Sequence, residues 1–305
     1  MSIIQQEKQP LDLKIGLAFF IIYFVWGSTY LANQWAIADI PPFLMAGFRF
    51  VLAGVLLYGY CMLIGKKSPT LTQVKNTFFA GLFLFAMGNG LVVWALQFVD
   101  SGIAALVVAF EPLVVVLMMW KMKNEKPTIN TWGGLILGII GMGLLVGQPE
   151  FINDASWLWG ILAIFAAILA WGYISIWMTD ANLPESLLQS AALQMFFGGF
   201  ILGAIGLLLG EYSLFDFQKI GGRAFWSLTY LIIFGSIMAF TAFNFLLKNV
   251  SPTKIVTSTY INPVVALFLG YYLNKEGISL QSLIAASMLI VGVIAINWKR
   301  KVSHK

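Results

Sequence analysis

The chain has one cysteine and one histidine in 305 residues, and only 10% of its side chains are charged. Each shortage excludes something. Cys61 lies inside an apolar run and has no second cysteine to pair with, so there is no intramolecular disulfide and little basis for redox chemistry. His304 stands in the C-terminal tail, and no grouping of Cys, His, Asp and Glu has the spacing of a metal site, so neither a metal nor another cofactor is expected. No glycine-rich phosphate loop with its lysine follows a strand, which removes the basis for ATP-driven pumping. An integral membrane enzyme acting on lipid would need a catalytic base or an acidic metal cluster near a membrane surface, and none is present. A channel, or a channel-like uniporter, is the nearer alternative. It lacks a ring of charges or a filter-like carbonyl sequence.

What is abundant is apolar surface. Hydrophobic residues make up 60% of the chain and the mean hydropathy is +0.86, far beyond a soluble domain. The apolar runs exceed 18 residues and do not alternate at period two, so they read as membrane-spanning helices rather than barrel strands. Ten spans are predicted: 15–34, 42–65, 76–96, 102–121 and 129–147 in the first half, then 157–178, 186–209, 224–247, 253–273 and 279–298 in the second. The linker 148–156 joins the halves, and 1–14 and 299–305 are tails.

The halves repeat each other. Ser101–Glu125 matches Pro252–Glu276, with Pro112 on Pro263, Glu111 on Asn262, Glu125 on Glu276 and, further on, Gly141 on Gly292. A second register sets Trp26 and Gly27 on Trp171 and Gly172, Arg49 on Gln194 and Gly54 on Gly199, with the difference absorbed by a longer connection before Phe225. Five spans per repeat is an odd number, so the second copy starts on the opposite face and the repeats are inverted. With the N-terminus cytoplasmic, 14 Lys and Arg side chains fall inside and three, Lys219, Arg223 and Lys275, fall outside. This bias places both termini in the cytoplasm and explains the net charge of +5 without nucleic acid. Trp35, Trp132, Trp157, Trp159, Trp226 and Trp298 fall near helix ends, as headgroup anchors do.

Arg49 and Glu111 are the two ionisable side chains far from every predicted helix end. On insertion scales each costs roughly 2.5–3.5 kcal/mol at the bilayer centre, so each needs an interior partner. At about 1.5 Å rise per residue, they lie about 12 and 15 Å below the outer ends of their helices. Their depths match, so they are expected within reach of each other in at least one state. The pair is read either as substrate-binding groups, or as a gate, or as a static ion pair. Pro112 and Pro263 each remove an amide hydrogen and clash with the carbonyl four residues earlier, so their helices are expected to bend or open there. A polar residue followed by proline, at one place in both halves, points to a transport site. Thr257, Ser258, Thr259, Tyr260 and Asn262 add polar groups at the second break. Ser28, Thr29, Tyr30, Tyr173, Ser175, Asn89 and Asn244 form a buried polar set, and Trp26, Trp94 and Trp171 are candidates for lining a cavity. Gly134 with Gly138 and Gly199 with Gly203 have the spacing that lets helices approach closely, within one chain or across a homodimer. Glu125 and Glu276 read as acidic starts of the fifth and tenth helices.

WGSTY at 26–30, PPFLMAGFRF at 41–50, GNG at 88–90, SGIAALVVAFEPL at 101–113 and SPTKIVTSTYINPVVALFLG at 251–270 together resemble the EamA-type branch of the drug/metabolite transporter superfamily. The resemblance spans 15–298 as two consecutive repeats. It implies an all-α integral membrane fold of ten transmembrane helices, arranged as two inverted five-helix repeats around a central cavity. It implies a bacterial inner-membrane carrier that exports amino acids or other small metabolites by alternating access. Relatives usually carry a small or apolar residue before the proline of the fourth helix, where this chain has Glu111; Arg49 matches the arginine of the family's RF motif.

Overall fold

A computed structural model describes residues 8–124, 126–147, 155–250 and 258–297. Among these residues the chain is all-helical. Seven helices are long and apolar enough to cross a membrane, and three shorter apolar helices accompany them. In chain order they are α1 (Lys8–Ile37), α2 (Pro42–Leu63), α3 (Leu71–Gly81 continuing as Leu82–Asn89 and Gly90–Ala95), α4 (Ser101–Val108 and Glu111–Lys123) and α5 (Ile129–Val146). The second half holds α6 (Ala155–Trp177), α7 (Leu187–Leu208), α8 (Gly222–Tyr230, Leu231–Met238 and Ala239–Asn249), α9 (Ser258–Asn274) and α10 (Leu280–Asn297). The connection from α7 to α8 runs 13 residues (209–221) against 7 (64–70) from α2 to α3. That difference is the longer connection expected before Phe225. Large apolar side chains such as Phe20, Phe200 and Phe268 are exposed around the bundle, as a lipid-facing belt requires.

Side-chain bonds gather at two opposite ends. At one end Asp39 accepts from Gly221 N (2.9 Å), Glu211 from Leu44 N (2.8 Å), and Asn274 Oδ1 from Trp35 Nε1 (2.9 Å). At the other end Asn76 Nδ2 donates to the Asn182 carbonyl (2.9 Å), Gln189 Nε2 to the Lys67 carbonyl (3.0 Å), and Lys123 pairs with Asp180. The start of α2 is therefore beside the end of α7, and its end beside the start of α7. The two run antiparallel.

Glycine sets how closely these helices pack. A Cβ on Gly54 would lie 2.7 Å from the Ala192 carbonyl and from Phe196 N, and one on Gly47 would lie 2.7 Å from Gly203 N, so α2 and α7 meet backbone to backbone. The α5 and α10 pair does the same, with Gly292 facing the Gly134 carbonyl. Both small-residue pairs singled out in the sequence therefore serve contacts within the chain.

Several expectations change. Glu276 does not start α10: its carboxylate accepts from Ser101 N (3.2 Å), Ser101 Oγ (2.6 Å) and Gly102 N (3.0 Å), so it caps α4. The start of α10 is capped by its own Ser279, whose Oγ accepts from Ser282 N (2.9 Å), whereas the buried start of α4 takes its acceptor from Glu276. Trp157 is buried in the core rather than placed as an anchor, because α6 packs that face against Ala95, Val99 and Leu145. Trp132, Trp159 and Trp226 are exposed as anchors should be, while Trp35 is tied to Asn274. Glu125, Trp298, Thr257 and the tail histidine His304 lie outside the described residues.

Candidate functional site

The third helix of each half contains a π-helical stretch, Leu82–Asn89 in α3 and Leu231–Met238 in α8. Such widened turns rotate side chains out of α-register and recur at functional sites. In α8 the widened turn carries Gly235 and Ser236 against Arg49 of α2. Arg49 is 4% exposed; its Nε donates to Ser236 Oγ at 2.9 Å and its Nη1 to Asn33 Oδ1 of α1 at 3.1 Å. Its guanidinium carbon lies 4.6 Å from the ring centre of Phe50. A Cβ on Gly235 would fall 3.1 Å from Arg49 Nη2 and 3.0 Å from Thr29 Cγ2, so a larger residue there would have to push both side chains back by a few tenths of an ångström. Thus three helices converge on one buried cation, and its bonded partners are neutral. No ion pair between Arg49 and Glu111 occurs among the described residues.

Beneath this cation the aromatics are continuous. Phe50 meets Phe85 at 4.9 Å, Phe85 meets Phe240 at 5.5 Å, and Phe240 meets Trp26 at 5.7 Å between ring centres. The Tyr230 hydroxyl donates to Ser28 Oγ across α1 and α8 (2.6 Å), which leaves the Ser28 hydrogen for the Val25 carbonyl (2.8 Å). Thr29 donates to the Trp26 carbonyl.

Glu111 stands on the neighbouring side of α1. The α4 helix stops at Val108, turns through Ala109 and Phe110, and restarts at Glu111 with Pro112 in its first turn. Proline has no N–H for the Val108 carbonyl and suits a helix start, so the break expected at Pro112 is present. Glu111 is half-buried, and its helix neighbours Phe110 and Val114 pack with Tyr30 against one apolar cluster. The α1 segment 29–33 therefore bonds Arg49 through Asn33 and carries Tyr30 in the cluster that adjoins Glu111.

Pro263 behaves differently. It sits inside an uninterrupted α9, so the second expected opening is not found there. Proline inside a helix forfeits one intrahelical bond, which the rest of the helix tolerates. Asn262 lies beside α1, with its amide nitrogen within reach of the Ser258 (3.2 Å) and Tyr23 (3.0 Å) carbonyls, and a Cβ on Gly27 would lie 3.0 Å from the Asn262 carbonyl. The side chain of Tyr260 lies outside the described residues.

The remaining candidates are dispersed. Asn89 Nδ2 donates to the Leu84 carbonyl within the α3 π stretch (3.0 Å), so it serves its own helix. Trp171 packs against Gly88, where a Cβ would come within 3.0 Å of its ring. Tyr173 contacts Phe83 (5.4 Å) and Trp94 contacts Phe98 (5.0 Å). Asn244 is buried in α8, and its Nδ2 meets no acceptor among the described residues. Gln194, the counterpart of Arg49, turns to Ser190 of its own helix (3.0 Å).

Asn33, Ser236 and Tyr230 were not singled out from the sequence. Asn33 carried a signal: it follows Thr29 by four positions and so shares its helix face. Ser236 is the hydroxyl of an otherwise apolar stretch, but no sequence pattern announces the π turn that aims it.

The EamA-like transporter family matches residues 13–147 and again 158–298. The chain is 34% identical over 281 residues to the uncharacterized inner membrane transporter YedA of Escherichia coli K12, a match spanning 92% of this chain and 89% of that protein. It is 25% identical over 287 residues to the uncharacterized transporter YoaV of Bacillus subtilis, across 92% and 96% of the two chains. A solved crystal structure at 18% identity covers 92% of this chain and 95% of its own with a TM-score of 0.64, which shows a shared fold. With a duplicated match over nearly its whole length and a relative above 30% identity, the chain belongs to the EamA-like transporter family.

Proposed function

We propose that this protein is an inner-membrane secondary transporter that exports small organic metabolites such as amino acids by alternating access. In this reading two inverted five-helix repeats, 15–147 and 157–298, enclose a central cavity, and both termini are cytoplasmic. The antiparallel run of α2 against α7 and the paired π stretches of α3 and α8 support the inverted arrangement.

The observation that carries the reading is Arg49, a buried guanidinium whose bonded partners are the neutral Asn33 and Ser236. Arginine is charged at neutral pH, and neutral partners orient it without cancelling its charge. A substrate carboxylate then supplies the counter-charge, taking a place that a structural ion pair would already fill. Glu111, one helix away on α1's other side, receives the substrate's cationic group or a proton. Tyr30 and Thr29 lie between them, and Trp26 with Phe240 offers apolar contact.

Efflux from proteoliposomes preloaded with mixed amino acids and other small metabolites tests this. Selective release by the wild type, lost in Arg49→Gln protein that folds normally, is the expected result. Release of the same compounds by both proteins overturns the role of Arg49, and release of none overturns metabolite export.

A further inference from the structure

A cleft of about 430 Å³ opens between α1, α8 and α9 at the end of the bundle where α1 finishes and α8 begins. This is the size range of ligand sites. Its lips, Trp226 and Leu273, belong to the exposed apolar belt, so it faces the hydrocarbon side of the molecule. At its mouth the exposed Arg223 lies over the Trp35 ring, 5.3 Å from its centre. Arg223 forms no ion pair among the described residues: Lys219 pairs with Asp216, and Asp39, on the adjoining loop, accepts instead from Gly221 N. At its floor the Ser28–Tyr230 hydroxyl pair joins α1 to α8.

We propose that this cleft is a binding site for an anionic phospholipid, its phosphate on Arg223 and an acyl chain along the apolar wall down to Ser28 and Tyr230. Three features select that occupant. An apolar wall takes hydrocarbon and disfavours a free polar metabolite. An arginine lying over an indole and outside any ion pair keeps its planar fork of N–H donors for a phosphate, which accepts in bidentate fashion. Its position beside exposed Trp226, at the start of a membrane-length helix, is the headgroup level where lipid phosphates lie. A lipid seated here bears directly on the α1–α8 contact, and so on the helices that hold Arg49.

Native mass spectrometry of the purified full-length protein, supplied with dioleoyl phosphatidylglycerol or dioleoyl phosphatidylcholine at equal concentration, tests the site. The wild type is expected to retain phosphatidylglycerol in preference. Arg223→Gln should reduce that preference about fivefold, the scale of one basic side chain near a membrane surface, while Arg223→Lys keeps most of it. Leu269→Trp, which fills the cleft, should lower retention of both lipids. Equal retention of the two lipids by the wild type, or an unchanged preference in folded Arg223→Gln protein, overturns the proposal. So does displacement of bound lipid by water-soluble glycerol phosphate, which would mean that the anion alone is recognised.

Discussion

Arg49 of α2 and Ser236 of α8 are joined by a 2.9 Å hydrogen bond from Nε to Oγ, the serine being carried on the widened turn of α8. Truncating Ser236 to alanine leaves one donor of a buried charged group unsatisfied, and this should cost about 1–2 kcal/mol in thermal unfolding. Arg49→Lys keeps the charge but loses the planar fork that reaches Asn33 and Ser236 together. It should fold, yet transport roughly tenfold more slowly in the efflux assay. Equal rates for Arg49→Lys and the wild type would show that charge alone matters.

The break in α4 puts Glu111 next to the cluster that holds Tyr30, and no ion pair with Arg49 forms among the described residues. If Glu111 carries a proton during transport, efflux driven by an imposed pH gradient should be abolished in Glu111→Gln. Exchange of labelled for unlabelled substrate at equal pH should persist, because exchange needs no net proton movement. Gradient-driven efflux by Glu111→Gln at the wild-type rate would leave a facilitator with a structural glutamate.

Much of this architecture is legible in the sequence, for stated physical reasons. Apolar runs long enough to span a bilayer must be helical, so the helices and their order follow from hydropathy alone. The break at Pro112 follows from the chemistry of the missing amide, but the unbroken helix around Pro263 does not, since packing against neighbouring helices lets a helix tolerate the same missing amide. Matching depths brought Arg49 and Glu111 to attention without fixing their azimuth around their helices. That depends on the π turn that aims Ser236 and on α1 lying between the two groups. Glu276 illustrates a further limit: its acidity and place at a helix boundary were readable, but which terminus it caps is a tertiary fact.

That cap has a measurable consequence. Glu276 accepts from two backbone amides and a hydroxyl of α4, as well as from Asn274 Nδ2 at 3.1 Å. Glu276→Ala leaves the buried start of α4 without acceptors and should cost about 2–4 kcal/mol, more than an ordinary exposed cap. Glu276→Gln keeps one acceptor oxygen and should cost less than half as much. Thermal unfolding of the two variants in one detergent checks the ranking, and equal stabilities would remove the capping role.

The α2–α7 contact offers a steric test. A methyl on Gly54 would sit 2.7 Å from backbone atoms of Ala192 and Phe196, and backbone cannot swing aside as a flexible side chain can. Gly54→Ala should therefore force the helices apart and cost about 1–3 kcal/mol, the usual range for overpacking. Gly133→Ala is the control, since nothing lies within 4 Å of the added methyl. Being inside a helix, it should be neutral or slightly stabilising. Equal destabilisation by both would show that the crossing has room to relax.

Asp100, on the connection just before α4, supplies a pH-dependent test. Burial first, and the charge of Glu276 second, raise its pKa above the ordinary carboxylate value. A carboxyl whose folded pKa is raised favours folding when protonated. Its contribution is fully present below the unfolded value of about 3.9 and is lost as pH rises through the folded value. At neutral pH the charged Asp100 is therefore a cost to the fold. It precedes the helix but makes no side-chain cap bond there, so asparagine forfeits none. The helix dipole acts in the opposite sense, by about 0.3–1 kcal/mol, so the sign of the change at pH 7 decides between them. Asp100→Asn should unfold at a higher temperature than the wild type at pH 7, with the gap narrowing to nothing near pH 4. In a Glu276→Gln background the gain should shrink, because one of its two causes is gone. A gain that is the same at every pH, or a loss at pH 7, would mean that the Asp100 charge stabilises the start of α4 rather than straining it.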